Sequence, residues 1–174
     1  MKKPTLDYLA AKTAQRITQV IGTDVKRQNK VAPKDVEILA TKALGVLQAQ
    51  GVYAMALFLL SRSGSESKAT KMSVEERVAC EIMAQLWPLR KPIEALEREA
   101  SNSGAGGNGE IAYDRINEEK KHLLQEFADL TKDLDTLLLV RDLYEQTLVY
   151  ARYGAKATKA SEGTGSDGDR RASP

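Results

Sequence analysis

Three glycines, Gly104, Gly106 and Gly109, reproduce the G-x-G-x-x-G spacing of dinucleotide-binding loops. In those loops the glycines follow a β-strand and open a helix, so that a pyrophosphate meets the backbone amides of the helix N-terminus. Here the preceding residues 94–100 are charged and have helical character. We therefore interpret residues 101–109, which are rich in Gly, Ser and Asn, as a flexible linker, and we predict no cofactor.

Glu119 and His122 have the spacing of a metal-binding motif, because Glu-x-x-His on a helix supplies two ligands to a carboxylate-bridged di-iron centre. That centre needs a second such motif from another helix, and His122 is the only histidine of the chain. The same count argues against a zinc site built from several histidines. A solvated or half-buried histidine is the favoured interpretation, and we predict no metal site.

Covalent and acid–base catalysis also lack the residues that they require. Cys80, the single cysteine, would need His122 as its base, and its place on an amphipathic stretch favours a small buried hydrophobe. Acidic pairs such as Glu75 and Glu76 are adjacent on a predicted helix and therefore do not face each other. We predict no catalytic residue and a protein that is not an enzyme.

Three tyrosines near the end of the chain are candidates for stacking interactions. Tyr144, Tyr150 and Tyr153 would offer nucleic-acid bases a stacking platform. Their spacing of six and three residues spreads them over more than one face of a helix. That spread favours packing within the protein over a platform.

Basic residues are concentrated at the start of the chain. Residues 1–34 contain eight Lys or Arg and two Asp, a net charge of +6, whereas residues 101–135 contain four basic and eight acidic residues, a net charge of −4. Such polarity is typical of a surface for nucleic acid or for an acidic partner, and a merely solvated loop is an equal alternative. Lysines and arginines of this kind contact phosphates without reading bases. The candidate RNA-binding residues are Arg16, Lys26, Arg27, Lys30 and Lys34, with Arg141, Arg152 and Lys156 as further candidates.

Helices must position these residues, because apolar side chains recur at helical spacing along the chain of 174 residues and no strand pattern is present. We predict an all-α fold, a compact single-domain bundle of about six or seven helices over residues 1–160, with a disordered tail over 161–174. The longest apolar run, Val52–Leu60, is nine residues, too short to cross a membrane. With a single cysteine and no secretory signal, the expected location is the cytoplasm.

The apolar periodicity also gives approximate element boundaries. Residues 22–33 and 63–72 are predicted loops, and Ser73 with Glu76 forms a capping box that starts a helix. Val52–Arg62 is apolar almost all round, which predicts a central, buried helix. The first predicted helices are about Leu6–Ile21, a second one that follows Pro33 and ends at Gly51, Val52–Arg62, and one from Ser73 to near Trp87. They are followed by Pro92–Ala100, by a long amphipathic helix whose apolar residues include Tyr113 and Leu130, and by a last helix over roughly Leu134–Lys159.

Two stretches resemble a known protein family. Lys42–Gly64, KALGVLQAQGVYAMALFLLSRSG, joins a helix of small apolar residues through a glycine to an Ala/Leu/Phe-rich helix. Leu134–Ala160, LDTLLLVRDLYEQTLVYARYGAKATKA, places an arginine ahead of a Thr-Leu-x-Tyr run and a basic, Ala-rich end. Both are similar to segments of the small α-helical subunit, the fifth protein, of the Cmr-type (type III-B) CRISPR effector complex. The matching residues of the second stretch are Arg141, Glu145, Thr147, Leu148, Tyr150, Lys156 and Ala160, with Glu145 and Thr147 in the reverse of the family order.

The resemblance implies a function that composition does not reveal. Members of that family are compact helical proteins without nuclease activity in an antiviral, crRNA-guided complex. The expected partners are the backbone subunits, the large polymerase-like subunit, copies of the chain itself and the crRNA/target RNA duplex. No membrane association is expected. Two alternatives stay open, the small subunit of the related Csm-type complex and a helical protein–protein adaptor that does not contact nucleic acid.

Overall fold

The computed structural model describes residues 4–26, 29–64, 72–101, 116 and 119–163, and it confirms the predicted all-α class. In this part of the chain, seven α-helices, a short 3-10 helix and a two-stranded hairpin surround one hydrophobic core. In chain order the elements are α1 (Leu6–Thr18), β1 (Asp24–Lys26), β2 (Asn29–Lys30), α2 (Pro33–Gln50), α3 (Val52–Arg62), α4 (Val74–Leu86), the 3-10 helix (Trp87–Arg90), α5 (Pro92–Ala100), α6 (Lys120–Leu130) and α7 (Leu134–Gly163).

Side chains that satisfy free backbone amides fix several helix starts. The predicted capping box before α4 is present, since the Glu76 amide donates to Ser73 Oγ at 3.2 Å and the Ser73 amide donates to Glu76 Oε2 at 2.6 Å. The hydroxyl of Thr5 accepts the Tyr8 amide at 3.2 Å and starts α1 in the same manner. Between α2 and α3, Gly51 adopts a φ of 89°, which glycine tolerates without a steric penalty.

The longest helix, α7, is the axis on which α1 and α2 pack. Contacts at both ends of α2 show that it runs antiparallel to α7: Lys156 Nζ lies 3.5 Å from Glu37 Oε1, and Gln48 Nε2 donates to Glu145 Oε1 at 2.6 Å. Helix α1 runs in the same direction as α7, since Leu6 and Asp7 lie by Leu139–Val149 and Thr18 lies by Gly154. Buried residues of α7 fill the space between them, and the core residues of this helix are Val140, Leu143, Tyr144, Leu148, Ala151 and Ala155.

Helix α3 is only partly covered, which corrects the expectation of a helix buried all round. Met55, Ala56 and Leu59 are buried, whereas Tyr53 and Leu57 on the other side are exposed. The reason is that α2, α4 and α6 all pack against one side of α3. Among the described residues no helix combines the length and the apolarity needed to span a bilayer.

A β-hairpin occupies the segment that sequence analysis assigned to a loop. β1 and β2 pair antiparallel through Asp24 opposite Lys30, and the Gly22 amide donates to the Val31 carbonyl at 2.8 Å just outside the pair. The strands contain three and two residues, too few for an alternating pattern to stand out. The expectation of no strand was therefore wrong at this point.

Two helix ends differ from the predicted boundaries. Helix α1 ends at Thr18 rather than Ile21. The described helix α6 begins at Lys120, Ile116 ahead of it is helical, and Tyr113 lies outside the described residues. Helix α7 continues to Gly163, three residues into the segment predicted as a tail. The predicted linker beyond residue 101 and the tail beyond residue 163 also lie outside the described residues.

Candidate nucleic-acid interface

The hairpin, the first turn of α2 and residues 152–156 of α7 meet at one end of the bundle, which we call the hairpin end. The hairpin leads directly into α2, since Val31 pairs with Gly22 and Thr23 immediately before Pro33. The ion pair between Lys156 and Glu37 then places α7 beside the first turn of α2. Candidate basic residues that are far apart in sequence thus lie at the same end of the bundle.

Lys30 and Lys34 are the most accessible of these candidates. Both side chains are exposed, and neither has a carboxylate within ion-pair distance among the described residues. Lys34 also lies in the first turn of α2, where the Asp35 carboxylate accepts the Ala32 amide at 2.9 Å and already complements the positive end of the helix macrodipole. The side chain of Lys26 and the whole of Arg27 lie outside the described residues.

Arg16 has a partner within the protein. Its Nη2 donates to Glu99 Oε1 on α5 at 2.8 Å, and Lys12 bonds the other oxygen of the same carboxylate. The side chain of Glu99 is only 12% exposed. Burial opposes its charge, but the two cations outweigh burial and lower the pKa of Glu99. Arg16 would therefore have to share or leave Glu99 in order to contact a phosphate.

Arg152 and Lys156 flank an exposed aromatic ring on α7. The Arg152 guanidinium carbon lies 5.6 Å and the Lys156 Nζ 5.9 Å from the centroid of Tyr153, whose side chain is 58% exposed. Lys156 is partly neutralised by Glu37, and Arg152 is half-buried. An exposed ring beside two cations is suited to stacking on a base that the cations help to hold.

The three tyrosines considered together in the sequence have different environments. Tyr144 is buried in the core with its ring 6.5 Å from that of Phe127, and burial raises the pKa of its hydroxyl. The Tyr150 hydroxyl donates to Asp7 Oδ1 at 2.6 Å and ties α7 to α1. Packing, the favoured interpretation, therefore holds for two of them, whereas Tyr153 remains available for binding. Its spacing alone did not single it out.

Arg141 lies away from the other candidates. It precedes Lys156 by fifteen residues on the same helix, a separation of about 22 Å along the axis. The hairpin end therefore gathers Lys30, Lys34, Arg152 and Lys156, and it does not include Arg141.

The groups considered for catalysis or metal binding are far from forming a site. Cys80 is fully buried, as predicted, and burial raises the pKa of its thiol to about 12. His122 is 65% exposed, with Nδ1 3.5 Å from Glu126 Oε1 on the next turn. Within the described part of the chain, no three His, Cys, Asp or Glu side chains form a group that would hold a metal ion.

Comparison with known proteins adds no relative: no family model, no curated protein and no solved structure matches this chain.

Proposed function

We propose that the chain is the non-catalytic small subunit of a type III-B (Cmr) crRNA-guided, RNA-targeting effector complex. In this role it stacks beside the backbone subunits and helps to hold the guide and target RNA during antiviral defence. The sequence support is the resemblance of Lys42–Gly64 and Leu134–Ala160 to the small-subunit family. The all-α fold is the one that this family has.

One structural observation carries the RNA-binding part of the proposal. Lys30 and Lys34, from the start of the chain, are exposed at the same end of the bundle as Lys156, from its last helix. Phosphates attract such a cluster irrespective of base sequence, which suits a subunit that must accept any guide and target. The proposal therefore assigns backbone contacts to the hairpin end and leaves sequence recognition to base pairing in the RNA.

The equivalent subunit of a Csm-type complex has the same support, and the bound crRNA and partner subunits distinguish the two. A protein–protein adaptor is the alternative from another class. The ion pairs of Arg16 with Glu99 and of Lys156 with Glu37 favour it, because they remove positive charge from the candidate surface.

Purification of the tagged full chain from its native host tests the proposal. A Cmr subunit is expected to copurify with several larger proteins and with RNA whose sequence contains CRISPR repeat-derived segments. Protein partners without RNA would instead identify an adaptor. A second preparation with Lys30→Ala and Lys34→Ala asks whether these residues retain the RNA. Lys121→Ala on α6 with Lys132→Ala in the turn after it is the control for the same loss of charge.

A further inference from the structure

A groove lies between the start of α1 and the first half of α7, away from the hairpin end. Its volume is about 590 Å³, and its lining from α1 consists only of Leu6 and Asp7. The lining from α7 recurs every three or four residues, so the groove follows that helix. These residues are Leu139, Asp142, Leu143, Glu145, Gln146 and Val149. The span from Leu139 to Val149 corresponds to about 15 Å of helix.

The floor of the groove is apolar and continues into exposed apolar surface. Leu143 is buried beneath it, Leu6 and Val149 are half-buried, and Leu139 is exposed. Leu134 and Leu138, in the first turns of the same helix, are also exposed. Several large aliphatic side chains near one groove are typical of a surface that another protein covers.

The rim of the groove is acidic. Asp7, Asp142 and Glu145 have no Lys or Arg within ion-pair distance among the residues that the structure describes. Two of them are nevertheless held in place, because Asp7 accepts the Tyr150 hydroxyl and Glu145 accepts the Gln48 amide, each at 2.6 Å. Three negative charges around an apolar floor, two of them held in place, repel a phosphate backbone and attract a cationic, apolar ligand.

We infer that this groove docks an amphipathic helix of a partner protein, with leucine-type side chains on the floor and Lys or Arg side chains at the rim. A helix lying along α7 brings residues to the groove every three or four positions, which is the spacing of the lining itself. The inference does not rest on the RNA proposal, since Asp142 and Lys156 are fourteen residues apart, about 21 Å along the helix axis.

The test measures binding of two fluorescein-labelled peptides to the full chain by anisotropy. The first is a helical peptide of about four turns with leucines on one face and lysines beside them, and the second carries glutamates in place of the lysines. The lysine peptide is expected to bind more tightly. Asp142→Lys with Glu145→Lys should weaken it about tenfold and should strengthen the glutamate peptide, since the rim charge is inverted.

Glu97→Lys with Asp129→Lys, two exposed carboxylates on α5 and α6, is the matched control and should leave both affinities unchanged. If the double variant of the groove loses its helical circular dichroism, Asp142→Lys alone, at an exposed position, replaces it. Equal binding of both peptides, or an equal loss in the control, would overturn the inference. So would self-association of the unliganded chain that Asp142→Lys abolishes, because a second copy would then be the occupant.

Discussion

Lys156 on α7 lies 3.5 Å from Glu37 on α2, measured from Nζ to Oε1, and this contact joins the last helix to the segment that follows the hairpin. The Lys156 side chain is 46% exposed, so the pair is screened by water and stabilises the fold only weakly. The main effect of the pair is to fix the position of Lys156. It keeps one cation from the end of the chain at the turn of α2 that follows Lys34, and the Glu37 carboxylate halves the positive charge that these two lysines present.

The salt dependence of RNA binding tests the hairpin end directly. Arg27→Ala, Lys30→Ala and Lys34→Ala together should weaken RNA binding by the assembled complex. Because each neutralised phosphate of a single strand contributes about 0.7 to the slope of log K against log salt, three lost contacts should flatten that slope by about 2. Filter binding over a salt series measures it.

A triple variant of distant exposed lysines, Lys42→Ala, Lys121→Ala and Lys132→Ala, is the control for net charge. An unchanged slope in the hairpin variant, or equal flattening in both, would refute this surface. A complex that fails to assemble only with the hairpin variant would mean that these charges meet an acidic protein.

Tyr153 should contribute base stacking if RNA reaches the hairpin end. Tyr153→Ala is expected to lower the affinity of the free chain for a single-stranded RNA about tenfold, within the range for one stacked base, and Tyr153→Phe should retain it. An abasic oligonucleotide of the same length should bind both variants equally. Fluorescence anisotropy measures all four combinations.

Tyr8→Ala is the matched control for Tyr153, because Tyr8 is 50% exposed with Lys12 Nζ 5.8 Å from its ring centroid. Equal losses for Tyr8→Ala and Tyr153→Ala would show that stacking is not localised at the hairpin end. An equal loss on the abasic strand would assign the effect to charge.

The carboxylate of Glu99 should make stability depend on acid pH. Its folded pKa is depressed below the ordinary value of 4.5, so its contribution is fully present above that value and is lost as the pH falls through the folded pKa. Glu99→Gln should therefore cost about 1 kcal/mol at neutral pH, and the difference from wild type should shrink in acid. Urea unfolding at neutral and acid pH measures it; a difference that does not vary with pH would contradict the prediction.

Two helical glycines should respond oppositely to substitution. Gly45 in α2 has open space where a side chain would lie, so Gly45→Ala should raise stability by about 0.5–1 kcal/mol. At Gly154 a Cβ would lie 3.2 Å from Thr18 Cγ2, and the Thr18 hydroxyl is bonded to the Gln15 carbonyl at 2.8 Å. Gly154→Val should therefore cost about 1–3 kcal/mol. Thermal unfolding of both variants checks the contrast, and destabilisation by Gly45→Ala would contradict it.

Local signals predicted much of the fold because they act over one helical turn. The capping box of Ser73 and Glu76 is one such signal, and the buried stripe of α7 is another. Partial exposure of α3 was not predictable, because apolar periodicity does not say how many neighbours a helix has. The ion pair of Arg16 with Glu99 was not predictable from the sequence either, because the two residues are eighty-three positions apart.

The same distinction applies to the candidate site. Basic composition predicted which residues carry charge, and exposure in the fold then separated Lys30 and Lys34 from the internally paired Arg16. The acidic groove was missed because its carboxylates come from α1 and α7, which are more than a hundred residues apart. Only the packing of those two helices brings Asp7 beside Asp142.

Helix α7 carries both the hairpin end and the groove, and it runs without interruption from Leu134 to Gly163. It therefore fixes both the distance between the two places and the angle between them about the helix axis. One residue inserted between Val149 and Arg152 would rotate the basic side chains about 100° relative to the groove and shift them about 1.5 Å along the axis. Four inserted residues would bring them back to nearly the same face of the helix, about one turn further along. After the insertion of four residues, a partner that spans both places would again find the basic side chains on nearly the same face of the helix. Neither insertion would preserve the distance between the two places.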